Sequence, residues 1–108
     1  MFLYPQRKIG KSNVKIDVLG LGCAPLGGNF VDLTYNQAAE IIGFALDSGI
    51  KYFDTAPWYG FGRSERVVGD QLRNNNFVIS SKVGRILKFS AIFFRDFTLS
   101  TTFFGAFA

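Results

Sequence analysis

Residues 52–72 read YFDTAPWYGFGRSERVVGDQL, and beyond a short polar break residues 77–85 read FVISSKVGR. In physical terms this is strand, glycine-rich loop, helix, strand. Residues 50–54 and 77–82 are short extended runs, and the segment between them carries a helical pattern. Two strands joined through a helix pair as parallel neighbours, with adjacent strands about 4.8 Å apart. Asp54 and Lys82 each close a strand, so they should emerge side by side at the carboxyl edge of the sheet. Tyr59, in the connecting loop, can fold back over the same edge. That edge is where α/β sheets and barrels place their chemistry.

The residue types suggest what chemistry this is. A free tyrosine loses its proton near pH ~10, too high for efficient exchange at neutral pH. A neighbouring ammonium favours the phenolate, and a carboxylate beside the lysine keeps the ammonium charged and aimed. Such a phenol can give or take a proton at a carbonyl or alcohol oxygen. Residue types alone leave a plainer role open for each: Asp54 capping a turn, Tyr59 packing on its loop, Lys82 solvated.

The wording of the motif decides between these. YFDTAPWYGFGRSERVVGDQL and SSKVGR closely resemble the aldo-keto reductase family, whose pattern is Phe-Asp-Thr-Ala, then Tyr-Gly, then Ser-Glu, then a strand ending Lys-Val-Gly. RKIGKSNVKIDVLGLGCAPLGG, residues 7–28, looks like that family's N-terminal turn and first barrel strand. The similarity spans about residues 7–87, with several motifs in the right order and spacing. It implies an α/β fold, the N-terminal portion of a (β/α)8 TIM barrel, truncated after about three β/α units. It also implies an oxidoreductase using NADP (or NAD), with reversible hydride transfer to or from a small polar carbonyl or hydroxyl compound. The wording is most similar to members that oxidise aldoses or act on pyridoxal-type aldehydes. By position, Asp54, Tyr59 and Lys82 match three of the family's four catalytic residues. Tyr59 would be the general acid/base, Lys82 would lower its pKa and Asp54 would orient Lys82. Gly22, Cys23, Asp54 and Lys82 fall where the family holds its cofactor, and Trp58 where an aromatic can wall the substrate pocket. The fourth catalytic residue is a histidine at the end of the next strand, and this chain contains no histidine.

Length sharpens that discrepancy. The chain has 108 residues, whereas an eight-fold barrel takes about 250. The expectation is therefore a fragment that is inactive alone. A second reading, a non-catalytic truncated or frameshifted remnant, stays open. Net charge is +4, and the basic residues are scattered singly or in pairs, which argues for a solvated surface and against a nucleic-acid footprint. The one cysteine, Cys23, excludes an internal disulfide and fits a cytoplasmic location. With no second thiol or histidine beside it, no metal site is expected. The opening MFLYPQRK carries only a short apolar run before Pro5 and does not read as a signal peptide.

Taken in order, residues 7–16 read as a hairpin turning at 10–13, and residues 16–21 as the first barrel strand, with Val18, Leu19 and Leu21 as its apolar content. Gly20 and Gly22 suggest a dinucleotide fingerprint, but its third glycine would fall on Pro25. Residues 34–49 form the best helix pattern. Thr34 and Gln37 make a capping box, Ala38, Ile41, Ile42, Ala45 and Leu46 make one buried face, and Gly49 stops it. Residues 64–73 form the second helix, with Ser64 as cap and Val67, Val68 and Leu72 inward. Arg85 reads as solvated, with substrate recognition as the alternative.

Two regions follow: residues 1–88, the barrel part, and residues 89–108, a tail unlike the family. The tail holds seven of the chain's 13 phenylalanines. Its uncharged run from Phe97 is 12 residues, short of the ~20 a membrane span needs. It has neither helical stripe nor cap, so no defined packing is expected of it, only a tendency to self-association. With two helices covering one face of the sheet, Val18, Phe53 and Val78 or their neighbours are expected to face water.

Overall fold

The computed structural model describes residues 3–84 and the backbone of residues 101–107. Arg85 and the first part of the tail lie outside the described residues. The chain opens with an antiparallel hairpin of β1 (Gln6–Lys8) and β2 (Lys15–Asp17), in the register Gln6↔Asp17, Arg7↔Ile16, Lys8↔Lys15. Gly10 takes a left-handed φ of 52° in its turn, and the Gln6 side-chain amide donates to Asp17 at 2.9 Å.

The hairpin consumes most of the expected first barrel strand. Ile16 and Asp17 belong to β2, and the Val18 N–H is bonded to the Pro5 carbonyl. The barrel strand proper, β3, is only Leu21–Gly22. Val18 and Leu19 stand exposed between the two elements.

The sheet has the order β3-β4-β5-β6, with β4 Tyr52–Asp54, β5 Phe77–Val83 and β6 Thr101–Phe107. The first three strands are parallel, in the registers Leu21↔Phe53 and Gly22↔Asp54, then Tyr52↔Val78, Phe53↔Ile79 and Asp54↔Ser80. β6 runs antiparallel to β5, from Phe77↔Phe107 to Val83↔Thr101. This corrects the expectation for the end of the tail. An uncovered β5 edge presents a row of unpaired backbone groups, and a Thr- and Phe-rich segment suits an extended pairing with it.

Helix α1 (Tyr35–Asp47) begins and ends as its sequence requires. Thr34 accepts the Gln37 N–H, and the Gln37 side chain accepts the Thr34 N–H at 2.9 Å, a reciprocal capping box. At the other end Gly49, at φ 90°, lets its own N–H reach Leu46 and the Ile50 N–H reach Ala45, the paired closure that a left-handed residue permits. Ala38, Ile42 and Ala45 are buried and Leu46 is half-buried, but Ile41 is 39% exposed. The covered face is thus narrower than the five-residue stripe.

Helix α2 spans Arg63–Leu72, with Gly62 at φ 91° as its N-cap. Ser64 is not the cap. The first N–H groups of the helix instead find loop carbonyls: Arg63 donates to Gly60, and Ser64 to Tyr59. The Ser64 side chain is thereby free to turn into the core, where it is fully buried.

Cys23, Leu26, Ala38, Ile42, Ala45, Phe53, Val67, Val68 and Leu72 form one apolar core between the helices and one face of the sheet. Phe53 is at its centre, fully buried, and is not among the residues left facing water. On a strand of period two it takes the helix-facing side, opposite Tyr52 and Asp54. Val18 does stay exposed, and Val78 is half-buried. Among the described residues no helix is long and apolar enough to cross a membrane.

Candidate active site

Tyr52, Asp54, Val78, Ser80 and Lys82 share the sheet face turned away from the helices, since residues two apart on a strand point the same way. The register sets Asp54 beside Ser80, with Lys82 two residues beyond. The lysine therefore reaches back along the strand. Its Nζ donates to Asp54 Oδ2 at 2.9 Å and to the Thr55 carbonyl at 3.1 Å. Both side chains keep about a third of their surface open to solvent, 34% for Lys82 and 36% for Asp54.

Tyr59 arrives from the loop after β4. The Lys82 ammonium lies over its ring, 5.0 Å from the centroid, within reach of a cation–π contact. Burial pushes the Lys82 pKa down, but the hydrogen bond to Asp54 and then the contact with Tyr59 push it up. The net result is a raised pKa and a firmly charged ammonium.

The loop is held by backbone contact with no room for side chains. Gly60 sits at φ 66°, and a Cβ added there would come 2.0 Å from the Gly27 carbonyl oxygen. Gly27 likewise has Tyr59 backbone atoms where a Cβ would stand. The Gly60 N–H is also tied to the Asn29 side chain at 3.0 Å. The loop after β3 and the loop carrying Tyr59 thus close on each other through two glycines.

A second set of contacts braces the site from the core side. Ser64 donates to the Cys23 carbonyl at 2.7 Å and lies 2.8 Å from Thr55 Oγ1. With the Ser64 hydrogen so used, the Thr55 hydroxyl is the donor of that pair. The Cys23 N–H bonds the Asp54 carbonyl at 2.8 Å, and Ser81, on the helix-facing side of β5, donates to Glu65 at 2.6 Å.

The expected site residues do not all meet. Asp54, Tyr59 and Lys82 converge. Gly22 pairs with Asp54 at the open edge, where an added Cβ would meet nothing. Cys23 is wholly buried among core residues, so its thiol faces away from that edge. Burial, then the Asp54 charge, pushes that thiol up to about 12. Trp58 is 39% exposed and tilts against Phe61, with ring centroids 5.3 Å apart. Reading the sequence missed Ser80, which donates to Asp54 Oδ1 at 2.5 Å and lies 3.1 Å from the Tyr52 hydroxyl. The available signal was its position two residues before Lys82. Among the described residues no group of acidic, thiol or imidazole side chains could hold a metal.

The site thus holds a charged lysine between a carboxylate and a phenol ring, at the carboxyl edge of parallel strands. The aldo/keto reductase family model matches residues 18–98, and the chain belongs to that family. The chain is 44% identical over 84 residues to pyridoxal 4-dehydrogenase of Microbacterium luteolum, covering 76% of this chain and 25% of that one. To D-threo-aldose 1-dehydrogenase of a Pseudomonas species it is 40% identical over 80 residues, covering 71% and 24%. The holo form of an aldo-keto reductase from Bacillus halodurans superposes with a TM-score of 0.70 at 31% identity, over 79% of this chain and 28% of that one. The glycerol dehydrogenase of Gluconobacter oxydans superposes at 0.64 and 28% identity, over 91% and 29%. The fold is accordingly the N-terminal portion of a (β/α)8 barrel. The chain spans about a quarter of the length of the curated relatives it matches.

Proposed function

We propose that this chain carries the proton-transfer residues of an NAD(P)-dependent oxidoreductase acting on small polar carbonyl or hydroxyl compounds, with aldoses and pyridoxal-type aldehydes as the substrate class. The observation that carries the reading is the Lys82 ammonium, bonded to Asp54 at 2.9 Å and lying over the Tyr59 ring. The relatives' activities on pyridoxal and aldose support the substrate class. NADP or NAD, when bound, supplies or accepts the hydride. The residues present fit its redox end, because a Cβ added at Gly22 would meet no neighbour and Asp54 and Lys82 remain partly open beside it.

In reduction, Tyr59 gives its hydroxyl proton to the carbonyl oxygen as that oxygen gains charge. Lys82 stabilises the phenolate left behind, an oriented charge needing little reorganisation. Asp54 keeps Lys82 charged and pointed, and Trp58 walls the approach. Oxidation of a hydroxyl runs the same proton in reverse.

A second reading, a barrel part with no catalysis of its own, is favoured by two observations. The sequence has no histidine, and β6 takes the β5 edge in antiparallel sense, whereas a (β/α)8 barrel continues with a parallel strand. The test is to purify the chain, titrate NADPH and NADH by fluorescence, and assay turnover of pyridoxal and aldoses beside Tyr59→Phe. Reduction that falls by about 10²-fold or more in Tyr59→Phe, with cofactor binding intact, supports the assignment. Turnover within a few-fold of the parent sinks the role of Tyr59. No cofactor binding and no turnover in either chain supports the second reading.

A further inference from the structure

The polar face of β4 and β5 holds one buried hydroxyl that the proton-transfer scheme does not use. Ser80 is fully buried, and it touches the site at its least solvated point. Asp54 has two carboxylate oxygens with separate partners: Oδ2 accepts from Lys82 and Oδ1 accepts from Ser80. An ionised carboxylate only accepts, so Ser80 must donate its single hydrogen there. It follows that the Tyr52 hydroxyl, 3.1 Å from Ser80 Oγ, is the donor in that pair. The hydrogens then all run one way, Tyr52 to Ser80 to Asp54, and they meet the Lys82 ammonium arriving from the other side. Tyr52 is itself braced, because Gly20 leaves its ring the space that a Cβ, 2.3 Å from the ring, would occupy.

We propose that Ser80 is a positioning residue of this site, its hydroxyl set by Tyr52 and fixing the Asp54 carboxylate in the rotamer that holds Lys82 toward Tyr59. The inference rests on reading Asp54, Tyr59 and Lys82 as the proton-transfer group, and adds the part that keeps its geometry. A carboxylate with one oxygen tied to a buried hydroxyl cannot swing about its χ2 angle, so its other oxygen stays available to the ammonium. Without Ser80, Asp54 is open enough for water to solvate Oδ1, and the carboxylate turns. The loss falls on the ion pair and spares the packing of the sheet.

Among the described residues, the groups that bear on Lys82 are Asp54 of β4, Tyr59 of the following loop and the Thr55 carbonyl; Tyr52 acts through Ser80. The buried Cys23 thiol lies behind Asp54. Glu65 of α2 is engaged with Ser81 on the opposite face of β5.

The test is titration of the Lys82 side chain by NMR in the full 108-residue chain and in Ser80→Ala, Ser80→Thr and Tyr52→Phe, each checked for a dispersed amide spectrum. It needs no turnover, so it stands apart from the functional reading, which fails or holds on Tyr59→Phe. Ser80→Ala should lower the Lys82 pKa by about half a unit or more, since an opposite charge held close is what raises it. Ser80→Thr keeps the hydroxyl and should restore it, and Tyr52→Phe should give a smaller drop of the same sign. A Lys82 that titrates in Ser80→Ala as in the parent overturns the proposal, as does a threonine variant that behaves like alanine. If Ser80→Ala does not fold, Tyr52→Phe decides alone, and an unmoved Lys82 there also overturns it.

Discussion

The two faces of the β4–β5 pair obey different physics although they alternate along the same few residues. Phe53 and Ile79 turn to the helices, where Phe53 is fully buried against the core of Ile42, Val67, Val68 and Leu72. Tyr52, Asp54, Ser80 and Lys82 turn the other way and meet only as a chain of hydrogen bonds ending in an ion pair. The first face holds the fold by area removed from water, about 25 cal/mol per Å². The second is half open, and its pairing is worth little as stability. A one-residue slip of register would exchange the two faces and destroy both.

The hardest blow to this contrast should fall on the buried face. Phe53→Ala leaves a cavity under both helices and is expected to cost about 3–5 kcal/mol in chemical or thermal unfolding. A loss under about 1 kcal/mol would mean that Phe53 is not at the core's centre.

Gly60→Ala strikes between the faces, where the Tyr59 loop meets the loop after β3. A residue with a Cβ at positive φ costs on the order of 1–3 kcal/mol, and here the Gly27 carbonyl must also move. Lower stability together with a changed environment for Tyr59, seen in its NMR shifts, is the expected result. A silent substitution would show that the loops are not locked through these glycines.

Alkaline pH probes both faces together. The Cys23 thiol is held up to about 12 by burial and the Asp54 charge, against its ordinary 9.0. Lys82 is also raised above its usual 10.5. A raised folded pKa means that the unfolded chain releases its proton first. The stabilisation is therefore complete below pH about 9 and is lost as pH climbs toward 12. The melting temperature should fall across that window, with Cys23→Ala delaying the onset. A midpoint flat from pH 9 to 11 in the parent would contradict the burial of Cys23.

Lys82→Met should be the gentlest on the fold. The pair is a third open to solvent, and Asp54 keeps Ser80 as a donor, so the stability change should stay within about 1 kcal/mol. A loss of several kcal/mol would place Lys82 among the structural residues and erase the distinction between the two faces.

How much of this was legible in the sequence differs by element. The capping box at Thr34 and Gln37, the stop at Gly49 and the inward Val67, Val68 and Leu72 follow from local rules, and the structure has them as read. Ser64 departs from the local rule that a serine before a helix ordinarily caps it. Here loop carbonyls take the first N–H groups, and the hydroxyl is used between Thr55 and Cys23. The first barrel strand is shorter than its apolar run, because Asp17 and Val18 are bonded to Gln6 and Pro5 of the hairpin, partners that the run itself does not reveal.

The sequence by itself determined the family, the parallel pairing of the two central strands and the trio Asp54, Tyr59 and Lys82. Those follow from short motifs and from the crossover helix that joins the strands. Only the tertiary structure decided which way each residue of β4 points, how far Lys82 must reach back, and that Ser80 closes the circuit to Tyr52. Periodicity states that alternate residues share a face, but which face meets the helices depends on where α1 and α2 come to lie. The pairing of Asp54 with Ser80 likewise exists only in the register between strands distant in the chain.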